Sequence, residues 1–281
     1  MVPALDSSAN RPSIRTVLVA LAAGVANAGI VLALYARDAY PALESTGSTA
    51  GLVATMVVVG VVPVFVSAYT RLFTPTLGLL AVLAGTTYLD VTSPSPEWGE
   101  LGGYAIVEGP TYVASYANAW HLWLALALYA GVLEFGIRRR YGVADGRLQN
   151  LPSLPRARST IAGWTAGGAG LIALATTLLV LEAGIRPPVA AGAVFAVAFA
   201  VAAVPVGGLF TRGLLAPLVL FALAVPYVLV FEVFVTTDSP VHILLFGPYA
   251  LVLAIVGALE ATIRARFGGG NTGSARSDTT I

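Results

Sequence analysis

A few ionisable residues inside long apolar stretches are the groups that could do chemistry in this chain. Asp90 and Glu232 each lie near the end of such a stretch, and an ungapped alignment at an offset of 142 residues pairs them. His121 and His242 are the only histidines and lie in two further stretches. Carboxylates and imidazoles below the lipid headgroups are costly and usually functional. These four residues predict a polar site for a proton or an ion; helix capping is the alternative for the two acids.

The two histidines also leave a metal or haem site open, since imidazole suits several transition metals. The positions of His121 and His242 are not equivalent, because the alignment of the last stretches pairs His242 with Tyr116. Interfacial histidines are more often satisfied by water or by a carbonyl group. We therefore predict no cofactor.

A second duplicated feature combines acids with arginines. The segment from Gly131 to Gly142 recurs at positions 257–268 with seven of twelve residues identical. Each copy carries a glutamate four residues before an arginine, the orientation that favours an ion pair on a helix. The pairs are Glu134 with Arg138 and Glu260 with Arg264. Their place at the ends of apolar stretches favours interfacial anchoring, and a proton or ion acceptor is the alternative.

The composition places these residues in a membrane protein. The chain is 57% hydrophobic and only 10% charged, whereas soluble domains are about 25% charged. There is no cysteine, and all fifteen basic residues are arginine. Disulfides, thiolate metal sites and lysine Schiff bases are thereby excluded. No hydrolase or phosphate-loop motif is present, so the sequence favours a protein that is not an enzyme.

Several apolar runs approach the roughly 20 residues that a helix needs to cross a bilayer. We predict an all-α integral membrane protein with eight transmembrane helices in two parallel four-helix repeats. The first repeat spans residues 1–142 and the second 159–267, with an arginine- and proline-rich linker at 143–158 and a disordered tail at 268–281. The predicted helices cover residues 16–35, 51–69, 76–91, 115–138, 161–183, 189–209, 214–235 and 241–264.

The arginines predict the orientation of these helices. With both termini in the cytoplasm, thirteen arginines lie on the cytoplasmic side and only Arg37 and Arg186 lie outside. Such an asymmetry is the positive-inside signal, and it predicts a multi-pass protein of the cytoplasmic membrane. Ala26-Asn27-Ala28 resembles a signal-peptide cleavage site, but the duplication favours a retained first helix.

The four-plus-four layout resembles that of haem A synthases. The resemblance is architectural. In that family the haem-ligand histidines lie on the second and fourth spans of each half, whereas the second and sixth spans here contain no histidine.

These observations favour permease-like transport of a small solute or ion, coupled to protons through the acids and histidines. The alternative is a non-catalytic membrane subunit or assembly factor of a larger complex, and a haem- or metal-dependent redox enzyme is a third hypothesis. Expected partners are the bilayer and a second copy or another membrane subunit, not nucleic acid. Small residues let helix backbones approach closely. The faces of Gly24 and of Gly163 and Gly167 therefore predict either a contact between the first and fifth spans or contacts with a second copy or another subunit.

Overall fold

The computed structural model describes residues 11–102, 104–235 and 241–267. Within these ranges the chain is a bundle of long helices with one short hairpin. The helices are α1 (Ile14–Arg37), α2 (Thr46–Thr70), α3 (Thr74–Thr92), α4 (Tyr112–Asn118), α5 (Trp120–Tyr141), α6 (Arg158–Glu182), α7 (Pro188–Arg212), α8 (Ala216–Phe234) and α9 (Phe246–Phe267). The strands are β1 (Glu97–Leu101) and β2 (Tyr104–Glu108), and 3₁₀ turns occupy Pro41–Leu43, Asp145–Arg147 and Val241–Leu245.

Seven helical segments in the described part of the chain are long and apolar enough to cross a membrane. They support the prediction of a multi-pass helical membrane protein, since a spanning helix satisfies its own backbone groups. The third predicted span also forms a helix, α3, but this 19-residue helix is not one of the seven.

Consecutive long helices run in alternate directions, so the bundle has two chemically different ends. The hairpin end carries β1 and β2, and the linker end carries residues 142–157. Helix α1 packs along α2, and α6 packs along α7. Helix α3 packs on α5 and α8 on α9, while α5 contacts α6 and α7. Helix α5 therefore joins the first part of the chain to the second.

The predicted fourth span at 115–138 is not one continuous helix. It is divided at Ala119 into α4 and α5. The Trp123 indole nitrogen donates to the Tyr116 carbonyl oxygen at 2.9 Å and so satisfies an acceptor beside this break. The local backbone change at Ala119, with φ −83° and ψ 20°, is not visible in a hydrophobic pattern.

The loop between the third and fourth predicted spans contains the antiparallel hairpin, which the sequence reading did not predict. Gly102 at φ +60° forms part of its tight turn, a conformation that glycine adopts without steric cost. Trp98 of β1 donates from its indole nitrogen to the Asp38 carbonyl oxygen at 2.9 Å. Its ring lies 4.9 Å from that of Tyr40. These contacts fix the hairpin against the end of α1.

The predicted disordered tail at 268–281 lies outside the described residues.

Candidate functional site

At the linker end, the duplicated glutamate on α5 caps the start of another helix. Both oxygens of Glu134 accept from the Phe73 backbone nitrogen, and Oε2 also accepts from the Thr74 backbone nitrogen at 2.7 Å and from its hydroxyl. Arg138 lies 2.6 Å from Glu134, and each of these side chains is only 9% exposed. The arginine also covers the Phe73 ring and donates to the Arg71 carbonyl oxygen. We call Glu134 with these partners the first capping site.

The second duplicated glutamate, Glu260 on α9, caps the start of α8 in the same way. Glu260 accepts from the backbone nitrogens of Leu215 and Ala216 at 2.8 to 3.1 Å. Arg264 lies 2.5 Å from Glu260, but its side chain is 43% exposed. We call this group the second capping site. Free N–H groups at a helix start need such acceptors, and neither α3 nor α8 obtains one from its own N-cap side chain.

Proline contacts next to the two capping sites are also alike. A Cβ added to Gly131 would lie 3.0 Å from Pro75, and one added to Gly257 would lie 3.1 Å from Pro217. The glycines are separated by 126 residues and the prolines by 142, the same two offsets that relate the duplicated sequences. Each helix pair is therefore packed closely at the corresponding point.

At the hairpin end, Asp90 is buried at the end of α3. Its Oδ1 accepts from the Val113 backbone nitrogen, at the start of α4, at 3.2 Å. Its Oδ2 lies 3.8 Å from Arg37, and Arg37 donates to the Asp90 carbonyl oxygen at 3.0 Å. Arg37 also lies 3.3 Å from Asp38, whose carboxylate accepts from the Ser95 hydroxyl. Asp90 thus connects the ends of α1 and α3 to α4.

Tyr40 covers this group from the loop after α1. Its ring lies 4.3 Å from that of Tyr35. Burial raises the pKa of the Tyr40 phenol well above its ordinary value, and the negative charge of Asp90 adds to that rise. Tyr40 is therefore neutral at physiological pH.

Glu232 has a role like that of Asp90 in the second half. It is buried near the end of α8, and its Oε1 accepts from the His242 backbone nitrogen at 3.1 Å. The His242 ring nitrogen Nδ1 lies 2.8 Å from the same oxygen. Each of these acids therefore ties the end of one helix to the helical segment that begins the next, as the capping alternative predicts.

His121 lies elsewhere at the hairpin end. It is buried where α5 faces α6, and its Nδ1 lies 3.9 Å from Glu182 at the end of α6. Glu182 is 51% exposed and lines a cavity of about 340 Å³ between the two halves. The polar lining groups of this hairpin-end cavity come from Tyr35, Ser48, Thr55, Asn118, Trp120 and Glu182.

The structure therefore brings Glu232 and His242 together but gives Asp90 and His121 other partners. In the described ranges no three His, Asp or Glu side chains form a group that could hold a metal ion. The sequence reading missed Glu182 and Arg37. Glu182 carried a usable signal, because it is a carboxylate at the end of an apolar run, as Asp90 is. The contact of Arg37 with Asp90 had no such signal, because it depends on how α1 and α3 pack.

The two helix faces with small residues differ in the structure: the face of Gly24 is covered and the face of Gly163 and Gly167 is open. A Cβ on Gly24 would lie 2.6 Å from Val61 and 2.7 Å from the Val57 carbonyl oxygen. That face is occupied by α2 of the same chain, so the prediction that it serves a second copy is wrong. Added Cβ atoms on Gly163 and Gly167 would meet nothing within 4 Å, and this face of α6 is open.

No family model, curated protein or solved structure matches the chain. The apolar helices are those of a multi-pass membrane protein.

Proposed function

We propose that the protein is a permease-like membrane protein that admits a small polar solute or cation through the hairpin-end cavity. The single observation that carries this proposal is Glu182, a half-exposed carboxylate in a polar cavity of about 340 Å³, next to the buried His121. Small-ligand sites commonly measure about 300 to 1,000 Å³. The cavity is therefore large enough for a small solute.

The chemistry of the cavity favours a cation or a solute carried with a proton. Glu182 offers a negative charge, and Ser48, Thr55 and Asn118 add hydroxyl and amide groups that can replace water around the solute. His121 lies close enough to Glu182 to exchange a proton with it through one intervening water. Proton uptake by this pair would remove the negative charge and release a bound cation.

The proposed architecture is an eight-span bundle of two parallel four-helix repeats, with both termini in the cytoplasm of a cell-membrane protein. The two capping sites support the duplication, because equivalent glutamates cap equivalent helices. The arginine-rich linker end supports the orientation. In this architecture the hairpin-end cavity faces outward and lies between the repeats, where relative movement would open it.

Flux into liposomes tests this function. The full chain is reconstituted with an internal pH-sensitive dye and challenged with Na⁺, K⁺, ammonium, glycerol or urea. We expect wild-type flux of at least one probe and a fall on the order of tenfold or more in Glu182→Gln, because the amide can neither bind a proton nor attract a cation. Glu44→Gln is the matched control, since Glu44 is an exposed acid at the same end.

Two further variants separate transport from helix capping. Asp90→Asn keeps an oxygen for the Val113 backbone nitrogen, and Glu232→Gln keeps one for His242. We expect both variants to retain flux. If these two variants lose flux and Glu182→Gln keeps it, the transport site lies at Asp90 and Glu232 and not at Glu182.

A second candidate function is that of a non-catalytic membrane subunit, and the hairpin favours it. Glu97 and Glu108 are directly opposite each other in the register of β1 and β2, and both are exposed. Like charges in such a pair are destabilising, whereas a basic segment of a partner would neutralise them. Exposed Ile106 lies on the same face of the hairpin and offers an apolar contact.

Cross-linking in native membranes tests this second function. Ile106→Cys introduces one thiol into a chain without cysteine. A specific cross-linked partner that disappears in Glu97→Lys/Glu108→Lys would support the subunit. Flux by the purified chain without any cross-linked partner would favour the permease.

A further inference from the structure

The linker end holds a basic cavity that neither of the proposed functions uses. It measures about 680 Å³ and lies where α5, α6 and α7 meet the linker. We call it the arginine pocket. Its charged and hydroxyl-bearing lining residues are Arg139, Arg140, Arg156, Asp145, Ser153 and Thr211.

The charges in the arginine pocket do not balance. Arg139 lies 3.0 Å from Asp145 and donates to the Leu151 carbonyl oxygen at 3.1 Å, so its side chain is held in place. Arg140 and Arg156 are exposed and have no ion pair with any described residue. Three guanidinium groups thus face one carboxylate. Guanidinium groups bind phosphate through paired N–H donors.

The start of α6 adds to the attraction for an anion. Its N-cap residue, Ala157, has no side chain that could accept from the first N–H groups of the helix. Ile161 in the first turn lines the arginine pocket. The partial positive charge at the start of this 25-residue helix therefore lies beside the cavity.

An apolar groove begins beside this pocket and runs along α6. It measures about 650 Å³ and lies between α5 and α6. We call it the glycine groove. Its floor is open at Gly163 and Gly167, and Val132 and Leu171 are among its walls.

The glycine groove and the arginine pocket adjoin. Thr160 lines the groove, and its neighbour Ile161 lines the pocket. Trp164 lines the groove, and its ring lies 6.2 Å from that of Phe210, which forms part of the pocket wall. A single molecule with a charged head and an apolar chain can therefore occupy both.

We propose that this composite site binds one anionic phospholipid. The phosphate lies among Arg139, Arg140 and Arg156, and one acyl chain follows the groove over Gly163 and Gly167. Basic pockets between transmembrane helices at the arginine-rich face are suited to such headgroups.

Charge favours this occupant over a second copy of the chain. A symmetric dimer through the glycine groove, with its axis along the membrane normal, would place the arginine pockets of both copies at the same end. Arg140 and Arg156 of the two copies would then repel each other. An anionic lipid neutralises the same charges.

Trp164 provides a local probe of the groove. The other three tryptophans, Trp98, Trp120 and Trp123, belong to the hairpin or to the start of α5 at the hairpin end. The full chain is placed in phosphatidylcholine nanodiscs containing a minor fraction of phosphatidylglycerol, with bromine on the acyl chains of one lipid at a time. Quenching that is absent from Trp164→Phe reports lipid in the groove.

We expect brominated phosphatidylglycerol to quench Trp164 selectively over brominated phosphatidylcholine. An arginine near the surface contributes about fivefold in affinity for an anionic lipid. Arg140→Gln/Arg156→Gln should therefore lower the selectivity by about 25-fold. Arg212→Gln/Arg266→Gln removes two other arginines at the linker end and should leave the selectivity unchanged.

The groove is tested separately by Gly167→Leu, which fills it. This variant should lose quenching by phosphatidylglycerol, whereas Gly192→Leu, at an exposed and equally open position on α7, should retain it. A second measurement is needed because Gly167→Leu could shift Trp164 and so alter quenching without changing lipid binding. Binding is therefore also measured as the phosphatidylglycerol that stays with each variant through detergent purification.

Three results would overturn the proposal. Equal quenching by both lipids would show that the site does not select charge. Full retention of phosphatidylglycerol by Gly167→Leu, together with its displacement by millimolar inorganic phosphate, would identify a site for the phosphate group alone. Efficient disulfide cross-linking of Gly163→Cys between copies in nanodiscs would show that the groove is a dimer interface.

Discussion

Glu134 accepts a hydrogen bond of 2.7 Å from the backbone nitrogen of Thr74, sixty residues earlier in the chain. The first capping site therefore performs two tasks with one carboxylate. It satisfies the N–H groups at the start of α3, and it neutralises Arg138 in a place from which water is largely excluded. The second capping site repeats the contacts with a more exposed arginine.

This difference in exposure predicts unequal effects of the same substitution. Glu134→Gln leaves Arg138 buried without its partner, which typically costs about 3 to 5 kcal/mol in the free energy of unfolding. Glu260→Gln leaves Arg264 partly in solvent, and exposed ion pairs contribute only about 1 kcal/mol or less. Reversible unfolding in mixed micelles measures both values.

A second substitution checks the cause. Arg138→Gln in the Glu134→Gln background removes the unpaired charge and should recover part of the lost stability. Equal losses in the two single variants, with no recovery in the double variant, would contradict the role of burial.

The contact of α1 with α2 predicts that a single methyl group at Gly60 is destabilising. A Cβ there would lie 2.7 Å from both the Gly24 Cα atom and the Ala23 carbonyl oxygen. These are backbone atoms, so the helices must separate, and overpacking typically costs about 1 to 3 kcal/mol. Gly29→Ala is the control, since its Cβ would meet nothing within 4 Å. Thermal unfolding in detergent should show a lower midpoint for Gly60→Ala than for the wild type. The midpoint of Gly29→Ala should not fall.

A buried polar network between α1, α2 and α4 predicts a third effect. Asn27 donates from Nδ2 to the Met56 carbonyl oxygen at 2.8 Å, and its Oδ1 accepts from the Tyr116 hydroxyl at 2.9 Å. Tyr116→Phe leaves this acceptor unsatisfied, which costs about 1 to 3 kcal/mol. Tyr88→Phe, at an exposed tyrosine, should be neutral in the same unfolding measurement. Equal stability of the two variants would argue that water replaces the lost hydroxyl.

The sequence was sufficient to predict those features that depend only on residue type and on spacing along the chain. Long apolar runs predicted the helices, because a membrane leaves the backbone few alternatives. The spacing of Glu134 and Arg138 predicted an ion pair, since residues four apart lie on one face of a helix.

The sequence was insufficient to predict side-chain contacts that depend on which helices pack against each other. The sequence groups Asp90 with the histidines because all are ionisable residues inside long apolar stretches. Packing instead places Arg37 beside Asp90 and Glu182 beside His121. Packing likewise covers the Gly24 face with α2, although its small residues predict a surface for a partner.

The number of spans gives the last prediction, and it depends on α3. If α3 crosses the membrane, Arg71 before it and Glu100 after it lie on opposite sides. If α3 does not cross, the two residues lie on the same side. Since the chain has no cysteine, single thiols placed at these exposed positions can be labelled individually.

We expect a membrane-impermeant maleimide added to intact cells to label Glu100→Cys and Glu44→Cys. Arg71→Cys and Gly146→Cys should be labelled only after the membrane is permeabilised, because the positive-inside asymmetry predicts a cytoplasmic linker end. Glu44→Cys and Gly146→Cys serve as references for the two sides, and flux or melting temperature confirms that each variant is folded. Labelling of Arg71→Cys and Glu100→Cys from one side would show that α3 does not cross, and it would contradict both the eight-span architecture and the packing that separates Arg71 at the linker end from the hairpin at the opposite end.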